Sequence, residues 1–278
     1  MRILITNDDG FLSKGLRLLI EAVRELDNVS IDVVVPEKPQ SAGGLSVTLH
    51  KPLRVRKISM DGDLEMFIIS GKPCDAVIYA LHELGNYDLV LSGVNIGENT
   101  SIQAALASGT IAACLYASLI GNVRSIAFSA DTDFQNVSKS WLEVSKHIIK
   151  ECVKYVSKIS PPDVIDVISV NLPKRIDRYT DVRVCKMSRR KFIHRIIKRV
   201  DPRGGEYVWI HGDTVVRLSE SEDTPNILLL NNITISAICI RHIDLMHDIA
   251  SNNIEIAREY LHSLAEHLKS VLREFYRE

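Results

Sequence analysis

The chain has 278 residues, which at roughly 150 residues per domain allows one large α/β domain or a core with a smaller appendage. Its 46 % hydrophobic and 25 % charged residues exclude the disordered, collagenous and low-complexity classes. Thirty-four Lys and Arg face 35 Asp and Glu, so at a net charge of -1 no global field draws duplex nucleic acid or an anionic membrane, and partners must be recognised locally.

In chain order, residues 2–6 form a short apolar run of the central-strand kind that stops at the turn formers Asn7-Asp8-Asp9-Gly10. The spacing of Leu16, Leu19, Ile20, Val23 and Leu26 predicts a helix over 14–26, and 31–35 a second buried strand closed by Pro36. This β-α-β unit builds a parallel sheet with a right-handed crossover. Residues 37–46 are Gly/Pro-rich loop material. Residues 54–58 and 65–70, joined at Asp61-Gly62-Asp63, predict a hairpin. A helix follows from Pro73 to about Leu84, then a strand at 89–92, a Gly/Asn loop over 93–100, one small-residue helix over 103–120 and a strand at 125–129.

Beyond this doubly wound core, a helix is expected over 137–159 and strands at 164–170 and 233–240. The expected division is 1–174 with 226–245 as the α/β core, 175–225 as a projecting β-rich subdomain, and 246–278 as a C-terminal helix. That subdomain carries Arg189, Arg190, Lys191, Arg195, Lys198 and Arg199, as a solvated or subunit-contacting face or as an arm for an anionic substrate. The helix carries an apolar stripe from Ala257 to Phe275 that closes its own core or packs on a partner.

Five scattered cysteines, Cys74, Cys114, Cys152, Cys185 and Cys239, without any C-x-x-C, argue against a zinc site or a disulfide framework. Nine histidines show no H-E-x-x-H; they read as structural or surface residues, with His211 beside Gly212-Asp213 the most open question. No apolar window of about 18 residues predicts a membrane span, and Asn7-Asp8-Asp9 interrupt any leader-like stretch, so the expected location is cytoplasmic.

Ligands of open α/β sheets bind beyond the carboxyl ends of the strands where the winding reverses. Three polar segments fall at expected strand ends: 7–10, 41–44 and 92–99. The adjacent aspartates are the most informative, because two close carboxylates repel unless a proton or a cation relieves them. A hard divalent cation wants oxygen ligands, and Asp8, Asp9, the Ser41 hydroxyl and the Asn95 side-chain carbonyl form such a set. The alternative is that Asp8 and Asp9 are turn and capping residues. No G-x-G-x-x-G and no P-loop is present. Ser108-Gly109-Thr110 offers hydroxyl and amide donors to a phosphate, or simply small residues for close packing.

Taken together, R-I-L-I-T-N-D-D-G at 2–10, P-E-K-P-Q-S-A-G-G at 36–44, S-G-K-P-C-D at 70–75, S-G-V-N-I-G-E-N at 92–99 and S-G-T at 108–110 resemble, in order and spacing, the SurE family of metal-dependent nucleotidases. Asp201-Pro202-Arg203-Gly204 and the Asp223 region fit more loosely. The resemblance implies a Rossmann-like fold and an acid-phosphatase-type phosphomonoesterase that hydrolyses nucleoside 5′- or 3′-monophosphates. It further implies one divalent ion per subunit, Mg²⁺ or Mn²⁺, and a homodimer or homotetramer assembled through the C-terminal region. On matching positions the metal ligands fall on Asp8, Asp9, Ser41 and Asn95, and the phosphate contacts on Asn99, Ser108, Gly109 and Thr110. The chain departs from the family pattern at Glu98, where proline is frequent, and at Ala107, where histidine is frequent.

The expected chemistry is in-line attack on the phosphoryl group by a metal-activated water, with Asp8 or Asp9 orienting or deprotonating that water. Two rivals remain: an aspartyl-phosphate phosphatase with Asp8 as nucleophile, whose aspartates would be separated by one residue, and a nucleotide- or metal-binding regulator without turnover.

Overall fold

The computed structural model describes residues 1–60, 64–189, 192–214, 224–240 and 251–277. The Asp61-Gly62-Asp63 turn, Arg190, Lys191, Asp223, His242, His247 and the boundary at 245/246 lie outside the described residues.

A nine-stranded sheet runs through the centre in the order β3-β4-β2-β1-β5-β6-β7-β11-β8. Its strands are β1 (Arg2–Thr6), β2 (Ser30–Pro36), β3 (Val55–Ser59), β4 (Glu65–Ile69), β5 (Leu89–Ile96), β6 (Ser125–Ala130), β7 (Val167–Leu172), β8 (Val182–Val184) and β11 (Ile233–Ile238). The pairings β2-β1, β1-β5, β5-β6, β6-β7 and β2-β4 are parallel, whereas β3 and β11 run antiparallel to β4 and β7. β1 is apolar because both its faces are covered. Ile3 and Ile5 enter one core with Leu16 and Leu19 of α1 (Lys14–Arg24) and Ile148 of α5 (Lys139–Lys158). Leu4 enters the opposite core with Val77 of α2 (Pro73–Tyr79) and Ala113 of α4 (Gly109–Gly121). From β1 the chain winds first to β2 and β4 and then crosses to β5, β6 and β7, so the winding reverses between β1 and β5.

Four local features differ from the sequence reading. β5 continues to Ile96 instead of stopping at 92, because a register shift between Ser92 and Asn95 inserts a bulge against β6 while pairing resumes at Asn95↔Ser129. Gly93 makes this possible: at φ 127° it lies where a Cβ would sit 2.2 Å from the Phe128 carbonyl oxygen, and the Gly93-Val94 peptide is cis. The expected single helix over 103–120 is two, α3 (Ile102–Ala107) and α4, separated by Ser108 in extended conformation (φ -71°, ψ 127°). The final turn of the 73–84 helix, Ala80–Leu84, is a π-turn. The expected strand at 164–170 instead occupies 167–172.

The segment leaving the core is shorter than 175–225, because β8 pairs in parallel with β11 inside the central sheet. What projects is a separate antiparallel hairpin of β9 (Phe192–Val200) and β10 (Glu206–Thr214). A short helix, α6 (Thr224–Leu229), then leads into β11. In the last helix, α7 (Ser251–Phe275), Leu261, Leu264, Leu268 and Leu272 are buried against the chain's own core, where α7 packs on α5, β8 and β11. Among the described residues, no helix is long and apolar enough to cross a membrane.

Candidate active site

The reversal between β1 and β5 brings the carboxyl end of one, Asn7-Asp8-Asp9, beside the bulged end of the other. Asp8 is 4 % exposed, and two loops reach it or its neighbour through main-chain groups. The Gln40 N–H donates to the Asp8 carbonyl at 2.7 Å, which fastens the 37–46 loop, and with it Ser41, to β1. The Ile96 N–H donates to Asp9 Oδ2 at 2.9 Å, which fastens the residue after Asn95 to the second aspartate. All three sequence-selected segments therefore converge on one strand end.

The Asp8 carboxylate also meets the first turn of α4. Thr110 donates its hydroxyl to Asp8 Oδ1, and the nearby Gly109 and Thr110 amides favour the ionised form of the same carboxylate. Gly109 is required there, since a Cβ would lie 2.7 Å from Asp8 Cβ and 2.9 Å from Oδ2. Ser108 caps α4 by accepting the Ile111 N–H at 3.2 Å. The break at Ser108 is thus what gives α4 an N-terminus aimed at an anion.

Burial raises the Asp8 carboxyl above the usual carboxylate range, outweighing the Thr110 hydroxyl and the surrounding amides. Asp9 is pushed up to about 6, first by burial and then by repulsion from Asp8, against the bond from Ile96. Asn95 donates Nδ2 to the Gly97 carbonyl at 2.6 Å, which leaves Oδ1 as its donor atom for a cation. Among the described residues, the Asn7 Oδ1 and the Thr6 and Ser92 hydroxyls at these strand ends are buried without a hydrogen-bond partner. No group of three or more His, Cys, Asp or Glu gathers among the described residues, so a cation here needs Ser and Asn oxygens beside the two carboxylates. Two mutually repelling carboxyls, an amide oxygen and an exposed loop hydroxyl fit a hard divalent ion.

The residues expected to contact phosphate are spent unequally. Thr110 is fully buried, with its hydroxyl given to Asp8, so it supports the carboxylate. Asn99 donates Nδ2 to Ser129 Oγ at 2.9 Å while its N–H bonds Asn171 Oδ1 at 2.8 Å. The Ser108 hydroxyl accepts in its cap and keeps its own proton to donate. The two departures from the family pattern also have structural roles. Glu98 Oε2 accepts the Thr100 N–H and hydroxyl, bracing the turn without a proline. The Ala107 carbonyl accepts the Gly44 N–H at 2.9 Å, joining the end of α3 to the Ser41 loop.

Residues 3–194, well over half of the chain, match the family model of survival protein SurE. The chain belongs to the SurE family. A relative described as 5′-nucleotidase SurE, from Hyperthermus butylicus, is 44 % identical over 219 residues, covering 77 % of this chain and 76 % of its own. Another of the same description, from Thermofilum pendens, is 41 % identical over 243 residues, covering 86 % and 91 %. The crystal structure of the SurE protein from Aquifex aeolicus superposes with a TM-score of 0.71 at 27 % identity, covering 94 % of this chain and all of that one. This confirms the α/β architecture expected for SurE proteins.

Sequence reasoning singled out Asp8, Asp9, Ser41 and Asn95 but missed the main-chain fastenings at Gln40 and Ile96, which no residue-type signal marks. It also passed over Lys72 and Ser46, which meet beside the site.

Proposed function

We propose that this chain is a divalent-metal-dependent 5′-nucleotidase that hydrolyses nucleoside monophosphates to nucleoside and phosphate. The observation that carries the reading is the pair Asp8 and Asp9 at the β1/β5 reversal, with both carboxyls raised by burial and Asp9 raised further by its neighbour. The 5′-nucleotidase relatives supply the substrate class.

Asp8, Asp9, Ser41 and Asn95 are the residues that would hold the ion. Bound there, Mg²⁺ or Mn²⁺ would offset phosphoryl charge and acidify a water. Asp9, with Oδ2 fixed by Ile96, would orient the attacking water beside the ion. Ser108, whose hydroxyl keeps its own proton, would donate to a phosphoryl oxygen, and Asn99 would share an amide hydrogen with one. Gly109 and Thr110 act one step removed, by holding Asp8. An aspartyl-phosphate route is disfavoured, because Asp8 is buried with Oδ1 occupied by Thr110.

Much of the C-terminal stripe packs into the chain's own core, while Ile254 and Ile256 of α7 stay exposed, and a homo-oligomer through the C-terminal region can also draw on the projecting hairpin. The exposed Trp209 and Ile210 of the projecting hairpin support that surface as the contact.

The test is phosphate release from a panel of nucleoside 5′- and 3′-monophosphates and simple esters, with chelator, Mg²⁺ and Mn²⁺ compared. Turnover of nucleotides only with metal is expected. Metal-dependent nucleotide binding without release would show a regulator, and an acid-stable phosphoenzyme would restore the Asp8-nucleophile route.

A further inference from the structure

The loop that carries Ser41 is held from a second direction, by the N-terminus of α2. Lys72, half-buried as the residue preceding α2, donates from Nζ to Ser46 Oγ at 2.9 Å. Ser46 passes the contact on, donating its hydroxyl to the Gly43 carbonyl at 2.5 Å. Gly43 in turn donates its N–H to the Gln40 carbonyl at 3.0 Å, and the Gln40 N–H bonds Asp8. Lys72, Ser46, Gly43, Gln40 and Asp8 thus form one chain of hydrogen bonds, with Ser41 lying between two of its members.

Asp75, 2 % exposed, closes the other end. Its Oδ2 accepts the Lys72 N–H at 2.8 Å and its Oδ1 the Thr48 N–H at 2.9 Å. The arrangement lies close to the carboxylates: a Cβ on Gly109 would meet Pro73 Cγ at 3.0 Å on one side and Asp8 Cβ at 2.7 Å on the other. A side-chain ammonium in such a place can act on a bound phosphate directly or shape the loop through its partner. The bond to Ser46, which is itself bonded to the loop backbone, favours the second.

We infer that Lys72 is a positioning residue: through Ser46 it fixes the 40–46 loop so that the Ser41 hydroxyl is presented to the Asp8/Asp9 pair. The inference rests on the metal-site reading above. Groups that orient a metal ligand commonly contribute about 10- to 100-fold to affinity.

The test uses Mn²⁺ alone as probe, titrated calorimetrically into the full-length, chelator-stripped protein. The variants are Lys72→Met, Ser46→Ala, their combination, and Ser41→Ala. Lys72→Met should fold, because the α2 cap and the Asp75 clamp use the main-chain amides of Lys72 and Thr48. Each of the first two singles is expected to weaken Mn²⁺ binding about tenfold, and the double variant no more than either, because both remove the same link. With saturating Mn²⁺, KM for a nucleoside monophosphate should stay near that of the unmodified chain.

Three results would overturn the inference: wild-type Mn²⁺ affinity in Lys72→Met, losses that multiply in the double variant, or a raised KM with Mn²⁺ affinity intact. The last would make Lys72 a direct phosphate contact. Ser41→Ala separates the two levels. If it weakens Mn²⁺ binding while Lys72→Met does not, only the positioning role falls; if it leaves Mn²⁺ binding unchanged, the ligand assignment falls with it.

Discussion

Thr110 donates its hydroxyl to the carboxylate of Asp8 across 102 positions of sequence, joining the first turn of α4 to the end of β1. Both residues are buried, so neither group can turn to water if the other is removed.

Thr110→Val keeps the shape and deletes the donor. Stability is expected to fall by about 1–3 kcal/mol, the cost of leaving a buried polar group with fewer partners. Mn²⁺ affinity should fall by about tenfold as the carboxylate loses its orientation. Urea unfolding and calorimetric titration measure the two losses, and unchanged Mn²⁺ binding would separate Thr110 from the metal site.

Gly109→Ala places a methyl group 2.7 Å from Asp8 Cβ and 3.0 Å from Pro73 Cγ. Overpacking of this kind costs about 1–3 kcal/mol, and here the strain falls on the carboxylate proposed to hold the ion. Phosphate release should drop by roughly 100-fold or more, in line with displacement of a catalytic group by a fraction of an ångström to an ångström. Steady-state kinetics on the folded variant decide this, and near-normal turnover would refute it.

Metal and pH are linked through Asp9, whose carboxyl rises from 3.8 to about 6, first by burial and then by Asp8. With metal removed, the folded chain keeps a proton that the unfolded chain has released. This contribution to stability is complete below the unfolded value of 3.8 and is lost as pH climbs through about 6. A bound cation replaces the proton. The gap in Tm between Mn²⁺-loaded and chelator-treated protein should therefore widen from about pH 5 to about pH 7. Thermal unfolding at the two pH values reads it, and an equal gap would remove Asp9 from the ligand set.

The hairpin of β9 and β10 exposes Trp209 at 62 %, Ile210 at 71 %, Val208 at 54 % and Ile196 at 57 %. Apolar side chains so placed, outside the central sheet, are expected to be covered by association. Trp209→Asp combined with Ile210→Asp should leave Tm nearly unchanged while lowering the mass seen by light scattering to that of one chain. A wild-type chain already monomeric at working concentration would contradict the assignment.

The order of strands and helices along the first 130 residues was legible because the buried segments of β1 and β2, Ile3–Ile5 and Val33–Val35, are uninterrupted apolar runs, and α1 repeats its apolar residues at helical spacing. The twin aspartates were legible because like charges at a strand end demand a reason. Other features were hidden by their cause. β8 is only three residues long, and its place beside β11 is decided by sheet pairing. The helix break at Ser108 occurs within small residues that would continue a helix equally well. The hold of Thr110 on Asp8 is a contact between distant segments. Ser108-Gly109-Thr110 reads in sequence either as phosphate donors or as small residues for close packing, and in the folded chain Gly109 packs against Asp8 while Thr110 gives it a hydroxyl hydrogen bond.

The 37–46 loop is anchored at Gln40 and Gly44 through amide groups that every non-proline residue possesses. Its exposed side chains other than Ser41, Leu45 among them, can accordingly be exchanged without loosening the anchorage. Outside Ser41, this rim can therefore vary in sequence while the backbone that ties it to Asp8 and to α3 stays in place.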